Sequence, residues 1–266
     1  MGQKVNSNIF RLGLKNNLQW KFKYIEKSFE DSTLFIYKNF RIQNYLKQIL
    51  ILNGLLLHNY KIWYSETNIT IYISYYVSTA TKLSFNKNSD ELKLLFDQIL
   101  ICVKLFFKKT CITRFKIKSQ NLNEKYKNNL EAIFQKRIEK LRKFKNNTIF
   151  KELLYITLIA TVEETSSKLL AEFIAVQFQK IKKRHGFFLS ILKATLLQLI
   201  KSKLSKITGI KLTIKGRFNG ALRANQKIIQ IGSIPLQSVN IKINFSHSVA
   251  FTKNGTFGIK LWICEK

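Results

Sequence analysis

The residues of this chain with chemistry to offer are its cations, and what they can do is hold phosphate. Arg217 sits in Gly216-Arg217-Phe218-Asn219-Gly220, where glycine and asparagine predict a tight turn. A guanidinium presented on such a turn can take two phosphate oxygens at once, which an ammonium does less well. A solvated hairpin tip is the plainer reading. Lys211 and Lys215 alternate with Ile210, Leu212 and Ile214, and Lys242 falls between Ile241 and Ile243, so each lies on the polar side of a predicted strand. Lys4, Arg11 and Lys15 belong to a leading segment with little core-forming pattern, a basic arm expected to gain order only against a polyanion.

Catalysis and metal binding find less support. Cys102, Cys111 and Cys264 are too few and too scattered for a disulfide framework and fit a reducing compartment. His58, His185 and His247 share no ligand spacing with them, so neither metal nor cofactor is expected. Glu163-Glu164 is the best acidic pair, but adjacent residues on a helix do not converge on one site. No nucleophile-base arrangement or glycine-rich phosphate loop occurs, and the expectation is a protein that is not an enzyme, with no catalytic residues.

The charge balance narrows the partner. Among 266 residues, 46 Lys and Arg stand against 15 Asp and Glu, a formal net charge of +31. So large a surplus repels itself, and a polyanion that releases its counterions on binding is the natural compensation. A membrane surface is the other candidate. The apolar runs near Ile49 to Leu57, Ile99 to Phe107 and Phe187 to Ile200 are broken by Asn53, Lys104 and Lys193 before they reach a spanning length. The opening residues lack the pattern of a myristoylation signal, a signal peptide or a transit peptide, and no membrane partner is expected. Heavy use of Lys, Asn, Ile and Phe points to an AT-rich genome and to synthesis inside an organelle. At 46% hydrophobic and 13% aromatic residues, the chain can bury a core all the same.

The elements that must position the cations follow from periodicity. Ile42, Tyr45, Leu46, Ile49 and Leu50 predict a helix over 40–57; Ile69, Ile71 and Ile73 predict a hairpin over 60–76 with its turn at Ser65 to Asn68. Leu92, Leu95, Phe96, Ile99 and Leu100 mark a second helix, and Ile112 to Lys118 a closing strand. Leu130, Ile133, Phe134, Ile138 and Leu141 give the Lys/Asn-rich stretch that follows a helical pattern; it reads as an RNA- or protein-contacting helix, or equally as a solvated insertion. Two more helices, through Leu169 to Ile181 and Leu192 to Ile200, end at Gly209 and lead into strands at 210–215, 239–245 and 259–263 with one apolar and one basic face. The organisation expected is α+β: a basic extension over 1–39, a small domain over 40–118, a helical insertion over 119–165, and two helices packed on an antiparallel sheet over 166–266.

Two terminal blocks resemble a known family. Met1-Gly2-Gln3-Lys4-Val5-Asn6 with Phe10-Arg11-Leu12-Gly13 is similar to the opening of the bacterial and organellar small-subunit ribosomal protein S three family. Gly216-Arg217-Phe218-Asn219-Gly220-Ala221, Gly232-Ser233-Ile234-Pro235-Leu236 and Gly258-Ile259-Lys260-Leu261-Trp262-Ile263 resemble its carboxy-terminal domain in order and spacing. The resemblance implies a KH-type domain over 40–118, whose backbone-gripping loop falls on Asn86-Lys87-Asn88-Ser89; both glycines of the family's loop are replaced, so a weakened grip or a plain helix-capping turn is expected. It implies that Lys182, Lys183 and Arg184 face incoming messenger RNA, although a helix end complementing its own dipole would look the same. Phe188 and Leu189 stand where the family carries an arginine pair, which implies partial loss of unwinding. The implied function is a structural constituent of the small ribosomal subunit head, with small-subunit rRNA, mRNA and neighbouring ribosomal proteins as partners. The organelle expected is a mitochondrion, with a plastid as the alternative. The runner-up is an organellar RNA-processing or maturase-like factor; a peripheral membrane protein using a helix over 127–145 ranks third.

Overall fold

A computed structural model of the chain describes residues 5–11, 22–23, 31–65, 68–78, 89–107, 114–122, 148–162, 167–201 and 207–265. The chain divides into two compact units, one formed by residues 19–125 and the other by residues 1–18 and 126–266.

In the unit of residues 19–125, β1 (Phe22–Lys23), α1 (Asp31–Leu52), β2 (Leu55–Tyr64), β3 (Asn68–Val77), α2 (Ser89–Phe106) and β4 (Arg114–Asn121) follow in sequence. The order helix, strand, strand, helix, strand is the one the periodicity predicts. The first helix, however, begins nine residues before Phe40 and stops at Leu52 rather than Leu57. Gly54 explains the stop: at φ 70° it takes the left-handed conformation that closes a helix, and its N–H returns to the Ile51 carbonyl. Leu55 and Leu57 are thereby released into β2, where they enter the core. The sheet order is β1-β2-β3-β4, with β2 and β3 antiparallel and the outer pairs parallel. Ile42, Leu46 and Leu50 of α1 and Ile99 and Val103 of α2 share one core with Ile62, Ile69, Ile71 and Ile73. Tyr60 and Tyr64 are buried in it with their hydroxyls donating to Gln43 and Asn39. Burial pushes both phenols above their ordinary pKa and keeps them neutral donors.

The other unit is a four-stranded antiparallel sheet, β5 (Ile207–Gly216), β6 (Asn225–Gly232), β7 (Ile243–Thr252) and β8 (Gly255–Glu265), in the order β6-β5-β8-β7. Among the described residues, three helices of more than ten residues belong with it, where the sequence predicts two beside the sheet: α3 (Thr148–Val162), α4 (Ser167–Lys180) and α5 (His185–Lys201). Within the span expected to be an insertion, α3 buries Phe150, Leu153, Leu154, Ile156, Leu158 and Ile159 almost completely and packs on α4 and α5. At roughly 1.5–3 kcal/mol for each large apolar side chain removed from water, it is a core helix of this unit.

Gly209 does not end a helix. It lies inside β5 opposite Gly232, and a Cβ there would sit 2.3 Å from the Ser233 carbonyl oxygen. Strand β7 also lies later than the predicted 239–245, and although Ile243 is buried as predicted, Phe245 is not on the face turned to the helices. Ser246, Ser248 and Ala250 point to the helices, while Phe245, Val249 and Phe251 share the opposite face. Small residues let α4 approach the strand, and the two hydroxyls donate to the Ser167 and Ala171 carbonyls at 2.8 Å each. Among the described residues, no helix is long and apolar enough to cross a membrane.

Candidate nucleic-acid interface

The turn joining α4 to α5 carries Lys182, Lys183 and Arg184, all exposed. Helix α4 runs out with the Ile181 N–H on the Gln177 carbonyl, and Arg184 then takes φ 67° so that its own carbonyl receives the first N–H groups of α5. A left-handed conformation costs a non-glycine residue about 1–2 kcal/mol, so something must hold it. His185 does. Its backbone N–H donates to Asn219 Oδ1 at 3.1 Å, and its ring Nδ1 accepts the Asn219 N–H at 2.9 Å. Nε2 lies 3.0 Å from the Ile181 carbonyl oxygen, which fixes the neutral tautomer with the proton on Nε2. Asn219 is itself left-handed at φ 54°.

Those reciprocal bonds join the α4–α5 turn to the turn that follows β5, and so set the basic triplet beside Arg217. Arg217 Nε donates to the Ala221 carbonyl at 2.7 Å, which pins one edge of the guanidinium to its own turn and leaves the terminal nitrogens as a fork for phosphate. Lys227 lies 4.7 Å over the Phe218 ring, and exposed Arg223 belongs to the same stretch. Behind both turns Phe178, His185, Phe188, Phe218 and Phe257 form one aromatic cluster, with Phe178 and Phe257 centroids 5.0 Å apart. Gly216 is required there, since a Cβ would overlap the Phe257 ring at 2.2 Å. Phe188 and Leu189 face the interior, so they are core residues of α5 rather than part of the basic surface.

Elsewhere the expected residues divide. Lys215 is exposed on the outer face of β5; Lys211 is half-buried there with its ammonium 5.9 Å over Trp262, which in turn packs against Phe245. This face is not uniformly basic, because Phe251, Ile228 and Val249 are exposed among its cations. Lys242 forms an ion pair with Glu265 at 3.2 Å, so its charge is matched within the protein. Arg11 departs furthest from expectation. It is 1% exposed and donates to the carbonyls of Ser7, Leu236, Ser238 and Ile241 at 2.7 to 3.1 Å. Burial lowers its pKa from the ordinary value, with the nearby Cys264 acting in the opposite direction. Instead of reaching for a polyanion, this residue ties the short helix Ser7–Phe10 to the sheet, while the Asn8 side-chain amide pairs with both backbone groups of Phe245 on the edge strand. Lys4, Lys15, Asn86, Lys87 and the Glu163-Glu164 pair lie outside the described residues.

Sequence reading missed His185 and Asn219, whose role comes from a pairing across 34 positions. It also passed over Arg223 and Lys227, for which the local run of cations was the available signal. From Ser167 to the end the chain has two acidic residues, Glu172 and Glu265, and both are buried. The surface of this region therefore presents cations with no competing carboxylate side chain.

Residues 178–263 match the family model described as ribosomal protein S3, C-terminal domain. Over this region the chain is similar to the ribosomal protein S3 family. The match takes in both basic turns, the aromatic cluster and all four strands of the sheet. Among curated relatives, the small ribosomal subunit protein uS3c of Staurastrum punctulatum is 37% identical over 134 residues, which is 49% of this chain and 58% of that protein. The uS3c of Chara vulgaris is 40% identical over 114 residues, 42% of this chain and 49% of that one. The small ribosomal subunit protein uS3 of Trichodesmium erythraeum is 31% identical over 103 residues, 39% and 40% of the two chains. The chain thus spans about half the length of the curated relatives it matches.

The turn-to-turn link makes a direct prediction. His185→Leu keeps the volume and the backbone N–H bond to Asn219 but removes the ring's bonds to the Asn219 N–H and the Ile181 carbonyl, and should destabilise the unit by about 1–3 kcal/mol while raising amide exchange in residues 182–186 and 217–221. Unchanged exchange in either turn would show that the two are held independently.

Proposed function

We propose that the protein is a structural constituent of the small ribosomal subunit of an organelle, where it binds rRNA and performs no catalysis. The observation that carries this reading is the pair of basic turns, locked to each other by His185 and Asn219, on a region whose carboxylate side chains are all buried. Phosphates from a folded rRNA would meet Lys182, Lys183, Arg184 and Arg217 as one preorganised group, with Lys211 and Lys215 adding to the field from the sheet. We read the same triplet as the surface that meets incoming messenger RNA, and the subunit head as its location. Neighbouring ribosomal proteins complete the set of partners.

The unit of residues 19–125 we read as a KH-type domain, on its order of elements and on the placement of its loop at Asn86 to Ser89. The similarity to uS3c proteins favours a plastid over a mitochondrion as the organelle.

Sedimentation tests the proposal. At native salt the protein should travel with small subunits, and stripping by salt should follow a log-log slope of about ten counterions. Replacing Lys182, Lys183, Arg184 and Arg217 together by Gln should lower that slope by about three to four and weaken retention about a hundredfold at physiological salt. Recovery of the unaltered protein in a ribosome-free fraction at both low and high salt overturns the proposal.

A further inference from the structure

The sheet of residues 19–125 has a second face, turned away from its helices, to which no role has yet been given. Register sets Trp63, Thr70 and Lys116 in one row across β2, β3 and β4, and Lys61, Tyr72 and Lys118 in the next. Alternation turns these six away from the core residues Ile62, Ile71 and their neighbours. Trp63 is 42% exposed, Lys116 and Lys118 are exposed, and Tyr72 is half-buried. The Trp63 and Tyr72 rings, diagonal neighbours across the pair, lie 4.7 Å apart at 55°, and the Lys118 ammonium stands 5.1 Å over Tyr72. The three strands contain no Asp or Glu, and Arg114 extends the cationic row at the start of β4.

We propose that this face is a binding site for single-stranded RNA, with unpaired bases stacking on Trp63 and Tyr72 and the backbone phosphates lying on Lys61, Lys116 and Lys118. An exposed aromatic pair ringed by cations matches the two chemistries of an unpaired strand, a π-face for each base and a charge for each phosphate. Three strands about 4.8 Å apart span about two nucleotides. A duplex keeps its base faces stacked inside itself and has nothing to offer the rings. A protein partner fits poorly, because lysine is depleted from the cores of protein interfaces and here sits within the aromatic patch. The site is separate from the basic turns of the ribosomal S3-like region, so it can fail without that reading failing.

The test uses the full chain carrying Trp20→Phe and Trp262→Phe, which leaves Trp63 as the remaining tryptophan of three. Titration with a twelve-residue oligouridylate should quench its emission, whereas a twelve-base-pair RNA duplex at the same salt should not. Adding Lys116→Gln and Lys118→Gln, both at exposed positions, should move the quenching midpoint to about tenfold higher RNA and reduce its salt dependence by between one and two counterions. Constant Trp63 emission while a filter assay shows RNA bound elsewhere on the chain overturns the proposal. So does equal quenching by the duplex, or a midpoint that ignores the two lysines.

Discussion

Arg11→Met should lower the stability of the unit it belongs to by about 3–5 kcal/mol and release residues 7–11 from the sheet. The guanidinium is the shared donor for four backbone carbonyls, three of them in the irregular stretch between β6 and β7 that no ladder partner holds. Each bond from a charged donor contributes about 1.5–3 kcal/mol, and water reaching the vacated carbonyls returns part of the loss. Methionine fills the space without the donors, so the loss measures hydrogen bonding rather than a cavity. Arg11→Lys should recover less than half of it, because one ammonium cannot span carbonyls that a planar fork reaches together. Denaturant unfolding gives the magnitude from the midpoint at constant slope. Amide exchange at Phe245, whose N–H is held by Asn8, reports the release. A midpoint shift below about 0.5 kcal/mol at unchanged Phe245 exchange would leave Arg11 without the clamping role assigned to it.

Phe178→Ala should cost a similar 3–5 kcal/mol, and in addition should weaken RNA binding although Phe178 itself is buried. Its ring lies within 5.0 to 6.3 Å of His185, Phe188, Phe218 and Phe257, and therefore supports both basic turns from beneath. Truncation leaves a cavity under the His185–Asn219 link, and the two turns lose their common alignment. The replacements of Lys182, Lys183, Arg184 and Arg217 by Gln should behave in the opposite way, weakening binding while moving the unfolding midpoint by no more than the single Arg217–Ala221 bond, about 1 kcal/mol, because the other three charges are exposed and contribute little to folding. Measuring both properties on both variants separates the support from the contacts. Were Phe178→Ala to lose stability yet bind RNA at full strength under folding conditions, the cluster would be core and nothing more.

Several features were settled by local sequence. A charge of +31 selects a polyanionic partner whatever the fold, since no arrangement of the chain removes it. The order of helices and strands within residues 40–118 follows from a hydrophobic period that changes from helical to alternating, whereas the periodicity alone runs the first helix past Asn53-Gly54, the local signal at which it stops. Asn254-Gly255 at the β7–β8 hairpin is an equally local signal.

What the tertiary structure alone decided depends on partners distant in the chain. Arg11 looks like a free basic arm until carbonyls some 225 to 230 positions away converge on it. Lys242 looks like a phosphate ligand until Glu265 is set beside it, and His185 looks ordinary until Asn219 meets both its ring and its backbone. The alternation of β7 misleads because α4 supplies carbonyl acceptors for Ser246 and Ser248, so polar residues turn inward and Phe245 turns out. Periodicity registers which residues prefer water. It cannot register that a hydroxyl or guanidinium will find its hydrogen bonds inside the protein, because that choice is made by groups brought together only when the chain has folded.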